Sequence, residues 1–215
     1  MHQLLDGKSL NLQIKEELAN EVRSLTNKGF RPPHLAAVIV GEDPASLTYV
    51  SSKEKASNEV GFTSSVYRYK ENVKESELLQ VIDFLNNDPE IDGYIVQLPL
   101  PKHINEQKII NAINPDKDVD GFTPVNVGHM ILGEDCFIPA TPMGIWTLLQ
   151  RYNIPTQGKN CVVVGRSNIV GTPVANLLSR KGVDCTVTLC HSKTENIKSH
   201  TQKADILIVA VGKPE

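Results

Sequence analysis

The sequence predicts an α/β protein built as two successive α/β domains, residues 1–140 and 141–215. Three observations carry that expectation. Short apolar runs ending at Gly or Pro alternate with helix-period segments, the pattern of parallel strands joined by crossover helices. A stretch rich in Pro, Gly and Asp, residues 114–144, separates two such blocks. The second block reads strand–helix–strand–helix–strand from Asn160 onward, so it is expected to form part of a doubly wound parallel sheet of the Rossmann type.

The elements follow in order. A first helix is expected over Asn11–Asn27, apolar at Leu12, Ile14, Leu18, Val22 and Leu25. Leu35–Val40 is an unbroken apolar run ending at Gly41, the mark of a buried strand. Asp43 and Pro44 form an N-cap and first-turn pair, and Gly61 stands where that helix should stop. Thr63–Tyr69 reads as a strand and Ser76–Asn86 as a helix facing inward through Leu78, Leu79, Ile82 and Leu85. Gly93–Leu98 reads as a third strand, cut off by Pro99 and Pro101, and Glu106–Ile113 as a short helix. Residues 114–144 are expected to be irregular as far as a helix opening at Pro142 and running to Tyr152. The second block then gives strands over Asn160–Gly165, Asp184–Cys190 and Asp205–Val211, with helices over Ile169–Lys181 and Thr194–Lys203.

Composition narrows the function. A chain of 215 residues with 40% apolar and 22% charged residues buries a real core without staples. The net charge is −3 and no basic block occurs, so nucleic acid is not an expected partner. The longest apolar runs are about six residues, far short of a membrane span. The opening MHQLLDGKSL has neither the basic start nor the apolar stretch of a secretory leader, and the expected compartment is the cytoplasm. Cys136, Cys161, Cys185 and Cys190 lack CxxC spacing and read as reduced thiols. The six histidines make no i,i+4 or HxH pair, so no zinc site is expected.

Residues 162–173 (VVVGRSNIVGTP) follow a strand and open a helix, the context of a dinucleotide-binding turn. Gly165 permits the tight turn, and Gly171 permits close helix–strand packing. Ser167 stands where the usual pattern has its middle glycine. A pyrophosphate is expected against free N–H groups at the helix N-terminus, with Arg166 nearby. The following strand ends in Leu189–Lys193 (LCHSK) without an acidic residue. Arg166 and Ser192, with Lys193, suit a 2′-phosphate instead, which favours NADP over NAD.

Tyr49 and Lys53 lie four apart and share one helix face, which Ala56 and Val60 continue. A lysine on such a stripe is ordinarily a snorkelling surface residue. Shielded from solvent, it becomes an acid or base for use near neutral pH. Gln97 ends the third strand, and its amide is expected to hydrogen-bond the Lys53 amine. Asp116–Gly121 (DKDVDG) reads first as a solvated Asp-Gly turn. Beside a cleft, one of its carboxylates would instead pair with a two-donor edge such as that of a pterin.

These pieces occur together and in order: Tyr49-x-x-x-Lys53, then Val96–Pro101 (VQLPLP), Lys117–Gly121 (KDVDG), Ile138–Pro142 (IPATP), Val164–Gly171 (VGRSNIVG) and Cys190–Thr194 (CHSKT). The set resembles the bifunctional methylenetetrahydrofolate dehydrogenase/cyclohydrolase family over essentially the whole chain. That resemblance implies two α/β domains, tetrahydrofolate derivatives in a cleft between them, NADP on the second domain, and a homodimer. It implies Lys53 as the catalytic lysine, Tyr49 stacking on the pterin, Gln97 positioning Lys53, and Asp120 on the pterin edge. Gly165, Arg166, Ser167, Gly171 and Ser192 would serve the cofactor. Family members continue with further Rossmann strands, a Pro-Gly-Gly loop and a returning helix, so the sequence is expected to represent part of such a protein. The competing expectations are a single-activity relative, a non-catalytic NADP- or folate-binding module, and a hydroxy-acid dehydrogenase.

Overall fold

The computed structural model describes residues 3–212. It divides into two compact units, Asp6–Thr123 and Pro124 onward, the latter together with the first residues of the chain. In the first unit, α1 (Gly7–Asn27), β1 (His34–Val40), α2 (Pro44–Val60), β2 (Thr63–Tyr69), α3 (Glu75–Asn87), β3 (Gly93–Val96) and α4 (Glu106–Ala112) follow one another, then a 3₁₀ turn at Pro115–Lys117. The strands form a parallel sheet in the order β2-β1-β3.

Both faces of that sheet are covered, which is why β1 is apolar throughout. Ala36, Val38 and Val40, with Tyr94 and Val96, pack on Leu78, Ile82 and Leu85 of α3 and Ile109 of α4. The alternate residues Ala37 and Ile39, with Ile95, pack on Val50 of α2. The strand period of two thus sends successive β1 side chains to α2 on one side and to α3 and α4 on the other.

Local chemistry sets the ends of α2 as expected. Asp43 accepts a hydrogen bond from the Ser46 N–H at 2.8 Å, Pro44 occupies the first turn, and Gly61 closes the helix at φ +89°. Helix α1 departs from expectation. It opens at Gly7, because the Asp6 carboxylate accepts from Lys8 N and Ser9 N. Its buried residues are Leu10 and Val22, whereas Leu12 is 61% exposed. Leu12 stands two residues past Leu10, about 200° round the helix, and so points away.

The second unit contains α5 (Pro124–Leu132), α6 (Ala140–Arg151), β4 (Asn160–Val164), α7 (Gly171–Ser179), β5 (Thr186–Cys190), α8 (Ile197–Thr201) and β6 (Ile206–Val209). Its parallel sheet has the order β5-β4-β6. Cys161 and Val163 of β4 pack with Val174 and Leu178 of α7, Leu149 of α6 and Ile206 of β6. Helix α5 corrects the expectation of an irregular 114–144. Helix α6 starts two residues before Pro142, which sits in its first turn, where a missing N–H costs nothing. All four cysteines are free thiols. Among the described residues no helix is long and apolar enough to cross a membrane, and no cluster of His, Cys, Asp or Glu could hold a metal.

Candidate active site

In the first sheet β1 is central, with β2 on one flank and β3 on the other. The ends of β1 and β3 therefore form a topological switch point, the place where open parallel sheets bind ligands. Gln97 stands there, its N–H donating to Val38 O at 2.8 Å.

Helix α2 brings Tyr49 and Lys53 onto one face. Lys53 Nζ lies 4.9 Å from the Tyr49 ring centroid, within cation–π range. The same nitrogen donates to Asp120 Oδ1 at 3.3 Å. The lysine side chain is 25% exposed and that of Asp120 16%, while Tyr49 is half exposed. The amine is therefore shielded on one side by a carboxylate and on another by an aromatic face. Gln97 differs from expectation. Its Nε2 donates to Leu98 O at 2.7 Å, and the polar group that holds the lysine is Asp120.

Asp120 rides on the loop after α4, which is tied down along its length. Lys117 Nζ donates to Leu85 O at 2.9 Å and Asp88 O at 2.7 Å, capping the carbonyl end of α3. Asn86 Oδ1 accepts from Tyr94 Oη at 2.7 Å and from Asn114 N at 2.8 Å. Asp118 forms a parallel bridge to Tyr94 and accepts from Thr123 N at 2.7 Å. The expected solvated turn is thus a largely buried one. The acidic run conceals this, since nothing in DKDVDG distinguishes the carboxylates that fold inward from the exposed Asp116. Burial pushes the Asp120 carboxyl above the usual carboxylate range. The Lys53 ammonium pulls it partly back, and the Asp118 charge pushes it further up.

In the second unit β4 is again central, and Gly165 turns the chain out of it at φ +113°. Gly165 N donates to Cys190 O at 2.8 Å, tying the turn to the end of β5. A Cβ on Gly165 would lie 2.3 Å from Ala210 O, and one on Gly171 would lie 1.9 Å from Gly165 O. Both positions therefore admit only glycine.

The helix N-terminus is already satisfied, contrary to expectation. Ser167 Oγ accepts from Val170 N at 3.2 Å and Gly171 N at 3.4 Å, and Ser167 O accepts from Thr172 N at 3.0 Å. Pro173 has no N–H, and Val174 N bonds to Val170 O. The amides without partners among the described residues are those of Arg166, Ser167, Asn168 and Ile169, in the turn itself. Arg166 and Ser192 are both exposed, at the ends of β4 and β5. Thr194 Oγ1 accepts from His191 N at 2.9 Å and shapes the loop that carries Ser192.

One parallel-sheet unit bearing a shielded lysine–carboxylate pair, in one chain with a second unit bearing a glycine turn of open amides, defines a two-part α/β nucleotide-dependent enzyme. Residues 5–120 match the tetrahydrofolate dehydrogenase/cyclohydrolase catalytic domain, and residues 139–215 match the NAD(P)-binding domain of the same proteins. The chain belongs to the tetrahydrofolate dehydrogenase/cyclohydrolase family. The bifunctional protein FolD of Porphyromonas gingivalis is 59% identical over all of this chain and 73% of its own length. Among solved structures, the bifunctional FolD enzyme of Campylobacter jejuni is 47% identical, with a TM-score of 0.94 over 98% of this chain and 74% of that one. The Trypanosoma brucei dehydrogenase-cyclohydrolase, complexed with NADP and an inhibitor, is 35% identical, with a TM-score of 0.92 over 97% of this chain and 71% of that one.

Proposed function

We propose that this chain oxidises 5,10-methylenetetrahydrofolate to 5,10-methenyltetrahydrofolate with NADP and hydrolyses the product to 10-formyltetrahydrofolate, with Lys53 as the acid–base residue. The observation that carries this reading is the Lys53 amine 3.3 Å from Asp120 and 4.9 Å from the Tyr49 ring.

Hydrolysis requires a proton acceptor and then a donor. Water adds to the methenyl carbon and loses a proton to Lys53. The bond from that carbon to N5 then breaks, the proton held by Lys53 passes to N5, and the remaining hydroxyl proton is released to solvent as the formyl C=O forms. Asp120 holds the lysine in place and offers its free oxygen to the donor edge of the pterin. Tyr49, half exposed, presents its ring for stacking. Gln97, its Nε2 bonded to the Leu98 carbonyl, stands at the end of β3.

NADP, when bound, supplies the hydride acceptor. The turn fits its phosphates through four open backbone amides, with the Ser167 hydroxyl free to donate while its oxygen accepts from Val170 and Gly171. Gly165 and Gly171 allow the close approach of backbone segments that forms this turn. Arg166 and Ser192 would hold the 2′-phosphate. The first unit takes the folate and the second the cofactor. Homodimeric assembly and a cytoplasmic setting complete the proposal, the latter in keeping with four free thiols.

The experiment is Lys53→Met, with NADPH formation and loss of methenyl absorbance followed separately. Cyclohydrolase activity is expected to fall by roughly 10²–10⁴-fold, the contribution of a positioned acid–base group. The dehydrogenase is expected to suffer less, because hydride transfer needs alignment more than proton transfer. Full hydrolase activity in this variant would overturn the assignment.

A further inference from the structure

We propose that Asp118 is a positioning residue for the Lys53–Asp120 pair, holding Asp120 in place through the turn it closes. The proposal rests on the reading of Lys53 given above. Asp118 is 1% exposed, the most buried carboxylate of a run in which Asp116 alone is exposed. Its Oδ2 accepts from Thr123 N, five residues on, at 2.7 Å, and its own carbonyl accepts from Gly121 N at 3.0 Å. These two bonds bracket Asp120 from both ends. The turn is anchored from below by the bridge between Asp118 and Tyr94 and by Lys117 on the end of α3. Asp120 therefore has little freedom of its own, and its distance to Lys53 is set by how this turn closes.

A second consequence is electrostatic. Two carboxylates two residues apart repel, and Asp118 makes Asp120 harder to ionise, while Lys53 makes it easier. Those two are the charged groups that act on Asp120 from its own loop and from α2. A buried acid that kept Asp120 in place purely by shape would leave its titration alone.

The test uses two substitutions with different chemistry. Asp118→Ala removes the acceptor for Thr123 N. It is expected to raise the KM for the folate substrate at least tenfold in both reactions. Asp118→Asn keeps an acceptor of the same shape and removes the charge. It is expected to keep KM within about twofold and to move the acid limb of kcat/KM to lower pH. Leu78→Ala, which empties the core beneath the same sheet, serves as the stability control and is expected to lower the unfolding midpoint without raising KM. A folate KM unchanged in Asp118→Ala, while Lys53→Met has lost cyclohydrolase, would refute the positioning role and leave the lysine reading standing. Should Asp118→Ala not fold, Asp118→Asn decides: an acid limb that does not move overturns the proposal. Full hydrolase activity in Lys53→Met would remove both.

Discussion

Replacing Gly171 by alanine sets two effects of opposite sign against each other. In a helix, glycine to alanine ordinarily stabilises by about 0.5–1 kcal/mol, because glycine loses more backbone freedom on folding. At Gly171 the added methyl would stand 1.9 Å from Gly165 O and 2.5 Å from its carbonyl carbon. Ordinary contact begins near 3.4 Å, so the start of α7 would have to retreat by about 1.5 Å from the turn. Both colliding atoms are backbone, so no rotamer change relieves the clash. A retreat of that size draws Val174, Leu177 and Leu178, all fully buried, away from their neighbours. Gaps of about 0.5–1 Å already forfeit a quarter to a half of each contact. The net cost is expected to be about 3 kcal/mol, at the upper end for overpacked cores. Denaturant unfolding followed by circular dichroism measures it. Gly144→Ala is the control, since Gly144 lies in α6 with nothing within 4 Å of its missing Cβ. That variant is expected to gain up to about 1 kcal/mol. If Gly171→Ala were as stable as Gly144→Ala, the close approach of α7 to the turn would be wrong.

Two more outcomes follow from the same geometry. Arg166→Ala is expected to weaken NADP by about 10–100-fold, the loss of a charge-assisted bond worth roughly 1.5–3 kcal/mol, and NAD far less; equal losses measured by fluorescence titration would remove Arg166 from the 2′-phosphate. Asp120 binds its proton more tightly when folded, so its charge costs stability above that titration and the cost is relieved as pH falls through it. Asp120→Asn is therefore expected to raise the unfolding midpoint at pH 7, within the roughly 0.5–2 kcal/mol of typical stabilising changes, with the gain shrinking toward acid pH while folate turnover is lost; a midpoint that drops at pH 7 would contradict it.

Most of the architecture was legible because each strand and most helices carry their own punctuation. Helix α2 could be read at both ends from Asp43, Pro44 and Gly61. Helix α5 was missed although Thr123 and Pro124 give a cap residue followed by a first-turn proline, the signal that had revealed α2. The surrounding glycines and acidic residues hid it. The start of α1 escapes the sequence because the helix opens four residues earlier than its apolar pattern, at a cap that only local hydrogen bonds of Asp6 disclose. At the site, Tyr49 and Lys53 followed from helical spacing. The partner of Lys53 did not, because Asp120 is 67 residues distant in the chain and reaches the lysine only through the fold. Lys117 and Asp118 were equally opaque. A lysine that caps α3 and a carboxylate that closes a turn have the same composition as a solvated surface run. Ser167 illustrates a third limit: its place in the motif suggested a phosphate ligand, while its first task in the structure is to satisfy two amides of α7.

The two units solve different chemical problems with one topology. In each sheet the first strand is central and the next two flank it, β2-β1-β3 and β5-β4-β6, which leaves a switch point at the strand ends. Proton transfer needs a titratable side chain whose surroundings can be tuned, and in the proposed reading the first unit would use Lys53 and Asp120 for it, projected from a helix and a loop. Phosphate binding needs several fixed donors at short range, which backbone amides supply only where no side chain intervenes. The second unit therefore depends on Gly165 and Gly171, whose missing Cβ atoms are also what lets the unit close. Chemistry and folding are separable in the first case and joined in the second. Lys53→Met should accordingly lose turnover with a loss of stability of no more than about 1 kcal/mol, the most expected from an ion pair whose lysine is 25% exposed. Gly171→Ala should lose cofactor affinity and stability together, in proportion across any series of substitutions at that position. A variant at Gly171 that bound NADP weakly while unfolding like the parent would break that link, and with it the claim that the turn is built by packing rather than by the ligand.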